Sequence, residues 1–211
     1  RIVNMGVISN GTTMLDAGAI DSGIPTGAMT LIKTLTASSS GTLSFVNGAS
    51  SVVFDGTYKE YVFKYIDIHP GTDNVNFTFN LSVDSGSNYN VTKTTNFWEA
   101  YHKEDGTDQY LATADGRDLA QSTAFQQLNG AGVQDENDGC ISGTLTIYDP
   151  ANTTFVKHFM SVSACNAHPS HYAWHAFMSG YGNTTSAVNA IQFKMSSGNI
   201  DAGTIKMYGI K

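Results

Sequence analysis

Tyr58-Lys59-Glu60-Tyr61-Val62-Phe63-Lys64-Tyr65-Ile66-Asp67-Ile68 is the stretch that decides the fold. At period two, Val62, Ile66 and Ile68 share one face, while Tyr61, Phe63 and Tyr65 take the other, with Lys64 and Asp67 interleaved. Aromatic and β-branched residues suit a pleated surface. Two partly apolar faces predict a central strand rather than an edge, and Pro70-Gly71 ends it.

Working outward, seven Asn-Gly or Asp-Gly pairs punctuate the chain, at residues 10, 47, 55, 105, 115, 129 and 138. Such pairs tolerate positive φ and match the tight turns between twisted antiparallel strands. Strands are predicted at Leu31–Leu35, Thr42–Val46, Ser51–Phe54, Asn76–Val83, Asn96–His102, Ile141–Tyr148, Thr154–Val162, Tyr172–Tyr181, Ala190–Lys194 and Thr204–Ile210. Ile141–Tyr148 and Thr154–Val162, joined across Asp149-Pro150-Ala151-Asn152, read as the best hairpin. Asp118–Leu128 is the one place for a short helix. The expectation is an all-β protein, a two-sheet antiparallel β-sandwich of jelly-roll type. Its core is expected to hold Phe63, Ile66, Ile147, Phe159, Phe193 and Ile205.

Residues 1–30 have another texture, rich in Gly and small residues, with aliphatics that follow no sustained period. They read as an extended N-terminal arm before a sandwich domain over 31–211. Leu15, Ile20, Ile24 and Leu31 need burial somewhere, worth about 1.5–3 kcal/mol each, so the arm is expected to reach onto a neighbour. A closed symmetric homo-oligomer, a trimer, follows from that expectation.

Only 14% of the 211 residues are charged, against roughly a quarter in an average globular protein. The net charge is −7, and Arg1 and Arg117 are the only arginines. A nucleic-acid footprint needs clustered cations, so nucleic acid is excluded as a partner, as is an anionic membrane surface. No apolar stretch approaches the ~20 residues of a membrane span, so no membrane insertion is expected.

Cys140 and Cys165 are the only cysteines. With the hairpin turning at Asp149-Pro150, residue 140 would face residue 161. Cys165 would then overshoot by on the order of 13 Å, too far for a disulfide without local curling. Free thiols are the expectation, and the compartment stays open.

His168-Pro169-Ser170-His171-Tyr172-Ala173-Trp174-His175 is the sharpest constellation. On a helix the three histidines would share a face, as a metal site needs. Pro169 and the strand-like residues after it argue against that helix. On a strand His171 and His175 stand ~13 Å apart, beyond single-chain chelation. A surface rim, buried hydrogen-bonded histidines and a site shared at an oligomer axis remain open, with no metal or cofactor expected. The acidic loops Glu104-Asp105-Gly106-Thr107-Asp108, Asp115-Gly116-Arg117-Asp118 and Asp135-Glu136-Asn137-Asp138-Gly139 could supply calcium oxygens, but none has EF-hand spacing, and Asp and Asn before Gly are also what turns use. Trp98 and Trp174 could stack on sugars, although an aromatic within a strand is more often core.

Enzyme signatures are missing: no G-x-S-x-G, no G-x-x-x-x-G-K, no H-E-x-x-H and no C-x-x-C. Glu60, Asp67 and Glu99 lie on predicted strands, yet glycoside chemistry needs two carboxyls at a defined separation. The expectation is a protein that is not an enzyme.

Three segments carry a resemblance. Met5-Gly6-Val7-Ile8-Ser9-Asn10-Gly11-Thr12-Thr13 with Leu15-Asp16-Ala17-Gly18 is the first, and Tyr58-Lys59-Glu60-Tyr61-Val62-Phe63 with Ile68-His69-Pro70 the second. The third runs from Thr154-Phe155-Val156-Lys157-His158-Phe159 through Gly182-Asn183-Thr184-Thr185-Ser186-Ala187 to Ile191–Ile200 and Gly203–Ile210. Together they resemble uncharacterised virion structural proteins of marine tailed phages, of the cyanophage and pelagiphage kind. The motifs are structural, so no active-site residue carries over. The resemblance implies a non-enzymatic structural protein on the virion surface, as capsid decoration or tail or fibre component contributing to host attachment. Its partners would be other virion proteins and a host surface glycan or receptor. From the histidine stretch and the acidic loop, not from the resemblance, the expected surface or receptor contacts are His168, His171, Trp174, His175, Asp135, Glu136 and Asp138. The alternative is a soluble lectin-like glycan-binding module.

Overall fold

The computed structural model describes residues 7–9, 12–16, 19–20, 29–167 and 172–211. Among them the chain is all-β, an antiparallel sandwich of an eight-stranded and a four-stranded sheet. The strands are β1 (Val7–Ser9), β2 (Thr12–Asp16), β3 (Ala19–Ile20), β4 (Met29–Thr36), β5 (Leu43–Val46), β6 (Glu60–Pro70), β7 (Phe77–Ser82) and β8 (Lys93–Lys103). They continue as β9 (Gln109–Thr113), β10 (Gln126–Gln127), β11 (Ile141–Tyr148), β12 (Lys157–Ala167), β13 (Tyr172–Gly182), β14 (Ala190–Met195) and β15 (Ile200–Ile210). The large sheet runs β4-β15-β6-β11-β12-β13-β8-β9, and the small one β10-β7-β14-β5. β1, β2 and β3 form a separate three-stranded sheet in which Leu15 pairs with Ile20. Ile24 lies outside the described residues. Leu31, assigned to the arm, belongs to β4 of the large sheet and is exposed.

Aromatic rings fill the space between the sheets. Phe63 of β6 meets Phe45 of β5 and Phe193 of β14, and Phe77 of β7 stacks on Phe193. Phe159 of β12 meets Phe79 of β7 edge-on. Of the expected core, Phe63, Ile147, Phe159, Phe193 and Ile205 are fully buried. Ile66 is not: it is 38% exposed.

Simple alternation accounts for that, since Ile66 is in phase with Lys64 and opposite in phase to the buried Phe63 and Tyr65; what the strand adds is a β-bulge just after it. Asp67 has φ 50°, and the β6 register slips against both β15 and β11 at this point. One extra residue on β6 reverses the side-chain phase. Ile68, which strict alternation would place with Val62 and Ile66, therefore joins Tyr61, Phe63 and Tyr65 in the core. Gly203, at φ 114°, sits opposite; a Cβ there would lie 2.5 Å from the Asp67 carbonyl oxygen. Gly203→Ala is expected to cost about 1–3 kcal/mol, read by thermal denaturation. An unchanged midpoint would mean that the bulge tolerates a side chain.

Three further departures have local causes. Asp118–Leu128 is no helix: Gln121 takes φ 48°, and the segment pairs with the free edge of β8 through Lys93–Ser122 and Thr95–Leu119 hydrogen bonds. Ser51–Phe54 is no strand, because Ser50 and Ser51 adopt positive φ, yet Val52 and Phe54 are buried. The β11–β12 hairpin has a longer loop than expected, with Ile147 opposite Phe159 and Ile141 opposite Cys165. That register brings Cys165 beside Cys140, overturning the separation inferred from a tight turn; both thiols are free.

Candidate binding surface on the large sheet

The small sheet covers only part of the large one. Under β13 and β8 the inner face is closed by the segment between β9 and β11. Leu119 N–H donates to Thr95 Oγ1, Ser163 Oγ donates to the Leu128 carbonyl, and Gly130 packs so closely on Trp174 that a Cβ would collide with the indole. Trp174 faces inward there. Its Nε1 donates to Glu99 Oε2 at 3.0 Å, while Arg117 donates to Glu99 Oε1 at 2.6 Å and lies over the indole. Burial pushes the Glu99 carboxyl up, and Arg117 and the indole N–H oppose that shift. Tyr101 and Tyr172 extend this cluster toward Tyr110.

The outer face is open. Alternating burial along β11, β12, β13 and β8 turns Ser142, Thr144, Thr146 and Tyr148, then His158, Met160, Val162 and Ala164, then Ala173, His175, Phe177 and Ser179, then Asn96, Trp98, Ala100 and His102 to this side. On β9, Gln109, Leu111 and Thr113 pair with His102, Ala100 and Trp98 and complete it. Five adjacent strands thus present no Asp, Glu, Lys or Arg on this face; the charges begin on β6 and β15 with Glu60, Lys64, Asp67 and Lys206, and Asp67 accepts from Ser142 Oγ at the border. Across the register, Val162, Phe177 and Trp98 form one row. Trp98 stacks on Phe177 at 4.0 Å, and His175 lies 4.3 Å from the same ring. Trp98, read as more often core, is 40% exposed, because Phe97 and Glu99 take the inward positions. Leu111 and Met160 are 69% and 53% exposed.

Where β12 and β13 end, the face sinks into a shallow depression of about 400 Å³ lined by Cys140, Ser142, Ala164, Asn166, Ala173, Trp174 and His175. Burial pushes the Cys165 thiol up to about 12, and Cys140 is also raised by burial. Neither is a nucleophile at neutral pH.

The expected contact residues that the structure describes separate into three places. His175 lines this depression; Trp174 borders it, but its indole lies on the other side of the sheet, held by Glu99. His168 and His171 lie outside the described residues. Asp135 and Glu136 are exposed and form a cluster with Asp73, one carboxylate oxygen of each within 4.8 Å of the others. Asp73 comes from the loop after β6, which no reading of single loops could have brought there. His69 Nε2 lies 3.0 Å from the Glu136 carbonyl oxygen. Asp138 lines a neighbouring depression with His102, Glu104 and Asn166. Sequence reasoning missed the outer face as a unit. Its signal is the lack of charge at alternate positions of five strands, visible only once the strands are aligned.

Neither a protein-family model nor a curated protein matches this chain.

Proposed function

We propose that the chain is a non-enzymatic structural protein of a tailed-phage particle surface, docking onto other virion proteins, further copies of itself included, through the outer face of its large sheet. The observation that carries docking is the uncharged outer face of β11, β12, β13, β8 and β9. Interface cores are depleted in charged residues and enriched in Trp, Phe, Tyr and Met; this face has no charge on those strands and carries Trp98, Phe177, Tyr148 and Met160, set among Ser, Thr and Ala. A contiguous exposed apolar patch marks an interaction surface, and uncharged faces meet without desolvating unpaired ions. The virion context rests on the resemblance of the three quoted segments.

The test has two parts. In purified particles the protein should be present at constant copy number, counted by quantitative mass spectrometry: hundreds of copies mean the capsid, a few dozen or fewer the tail. Met160→Glu and Leu111→Glu should leave the thermal midpoint nearly unchanged while weakening assembly or particle attachment. An anchor loss of about 2 kcal/mol corresponds to roughly thirtyfold. Attachment at full strength by the double variant would sink the docking face, and absence from particles would sink the virion reading.

The depression bearing His175, Asn166 and Ser142 favours a second reading, a lectin-like module. Uncharged hydrogen-bonding groups beside Trp98 and Phe177 suit a neutral oligosaccharide. Saturable binding of free glycans by the isolated protein, competed at this depression, would favour this reading over docking.

A further inference from the structure

Lys93, the first residue of β8, and Asn80, in the middle of β7, are both fully buried. Lys93 Nζ lies 2.5 Å from Asn80 Oδ1 and 2.9 Å from the Val91 carbonyl oxygen. No ion pair among the described residues includes Lys93. A buried ammonium held by a carboxamide in place of a carboxylate is costly, and the burial favours the neutral amine. The carboxamide is held at every corner. Leu81 N–H donates to Oδ1 at 2.8 Å, and Nδ2 donates to the carbonyls of Tyr89 and Thr123 at 2.7 and 2.9 Å.

We propose that Lys93 and Asn80 join in an intramolecular isopeptide bond that ties the four-stranded sheet to the eight-stranded one. The neutral Lys93 amine attacks Asn80 Cγ and forms the new C–N bond. Negative charge builds on Oδ1, where Leu81 N–H already points. A proton then passes from the Lys93 nitrogen to Nδ2, the Cγ–Nδ2 bond breaks, and ammonia leaves. Amine plus carboxamide gives secondary amide plus ammonia, with no change of oxidation state. The Tyr89 and Thr123 carbonyls hold the leaving nitrogen while it gains positive charge. Burial supplies the nucleophile: desolvation pulls the Lys93 ammonium down to about 7, so a large fraction is neutral at physiological pH. Fixed proximity supplies the rate, and the step occurs once per chain, so it can be slow.

Lys157 shows what is special here. It is buried too, and across the register it faces Gly182, whose other neighbour is Lys93. Its Nζ meets only the carbonyl oxygens of Phe155 and Thr184. With no carboxamide in reach it has nothing to acylate it.

The test is the mass of the full chain after expression and denaturation. The linked chain weighs one ammonia less than its sequence mass. Trypsin should fail to cut after Lys93, leaving one peptide from Tyr65 to Lys103 that carries the ammonia loss. Lys93→Arg and Asn80→Ala should restore the sequence mass. The wild-type measurement stands even if either variant folds poorly. A chain at full sequence mass that trypsin cuts after Lys93 would overturn the proposal. So would an ammonia loss that maps to Asn10-Gly11, Asn47-Gly48 or Asn129-Gly130, where succinimide formation gives the same change.

Discussion

Phe193→Ala is expected to destabilise the protein by about 3–5 kcal/mol, the cost of emptying an aromatic site in a packed core. For a chain of this size that corresponds to a drop in thermal midpoint of roughly 6–20 °C. Phe193 is fully buried at the centre of the small sheet and touches four rings. It stacks on Phe77 at 5.7 Å, meets Phe63 at 5.7 Å and Phe45 at 6.3 Å, and lies 6.5 Å from Phe79. Those rings come from β5, β6 and β7, so their backbones hold them apart and the cavity cannot close by one side chain moving. Phe193→Leu should recover most of the loss. Phe155→Ala is the control: Phe155 is 68% exposed, and surface changes of this kind stay within about 0.5 kcal/mol. If the two alanine variants melt together, the core is not where the ring contacts put it.

Arg117→Met should cost roughly 2–4 kcal/mol at neutral pH, less than for a wholly buried pair because Arg117 is partly exposed. The loss falls on Glu99, whose side chain is only 5% exposed and whose carboxylate would keep Trp174 Nε1–H as its one remaining partner. The sign of the pH dependence follows from the direction of the Glu99 shift. Its folded pKa lies above the unfolded value because of burial. The folded state therefore holds more protons in that window, and stability falls as pH rises through it. Removing Arg117 raises the folded pKa further and widens the window. The deficit of the variant should shrink as pH is lowered toward the ordinary carboxyl range, about 4–5. Chemical denaturation at several pH values reads this directly. A deficit independent of pH would mean that Arg117 acts through packing on Trp174, which it overlies, rather than through charge.

Much of the architecture was legible because it rests on alternation within single strands. The β6, β7, β8, β11, β13, β14 and β15 segments each declare themselves by period two and by Gly- or Pro-marked ends. The failures share a cause. β9, with the sequence Gln109-Tyr110-Leu111-Ala112-Thr113, has no fully buried residue and so no alternation to read. The segment Asp118–Leu128 has helix-compatible composition, but its backbone is claimed by the free edge of β8. Ile68 was placed on one face with Val62 and Ile66 by a period that the Asp67 bulge interrupts, and the partner of that bulge, Gly203, lies far away in the chain.

The sequence by itself determined that this protein is a β-sandwich with a large aromatic core, few charged residues with a net negative balance, and no catalytic signature. Those properties are sums over local patterns and composition, and each strand carries its share. Only the tertiary structure decided which residues meet. Strand register sets that, and register depends on loop length and on bulges that shift the side-chain phase. It turned Trp98, Phe177 and Met160 onto one uncharged face, set Arg117 and Trp174 on Glu99, gathered Asp73 with Asp135 and Glu136, and buried Lys93 against Asn80. Every one of these groupings joins side chains from separate segments, so no window of sequence contains it.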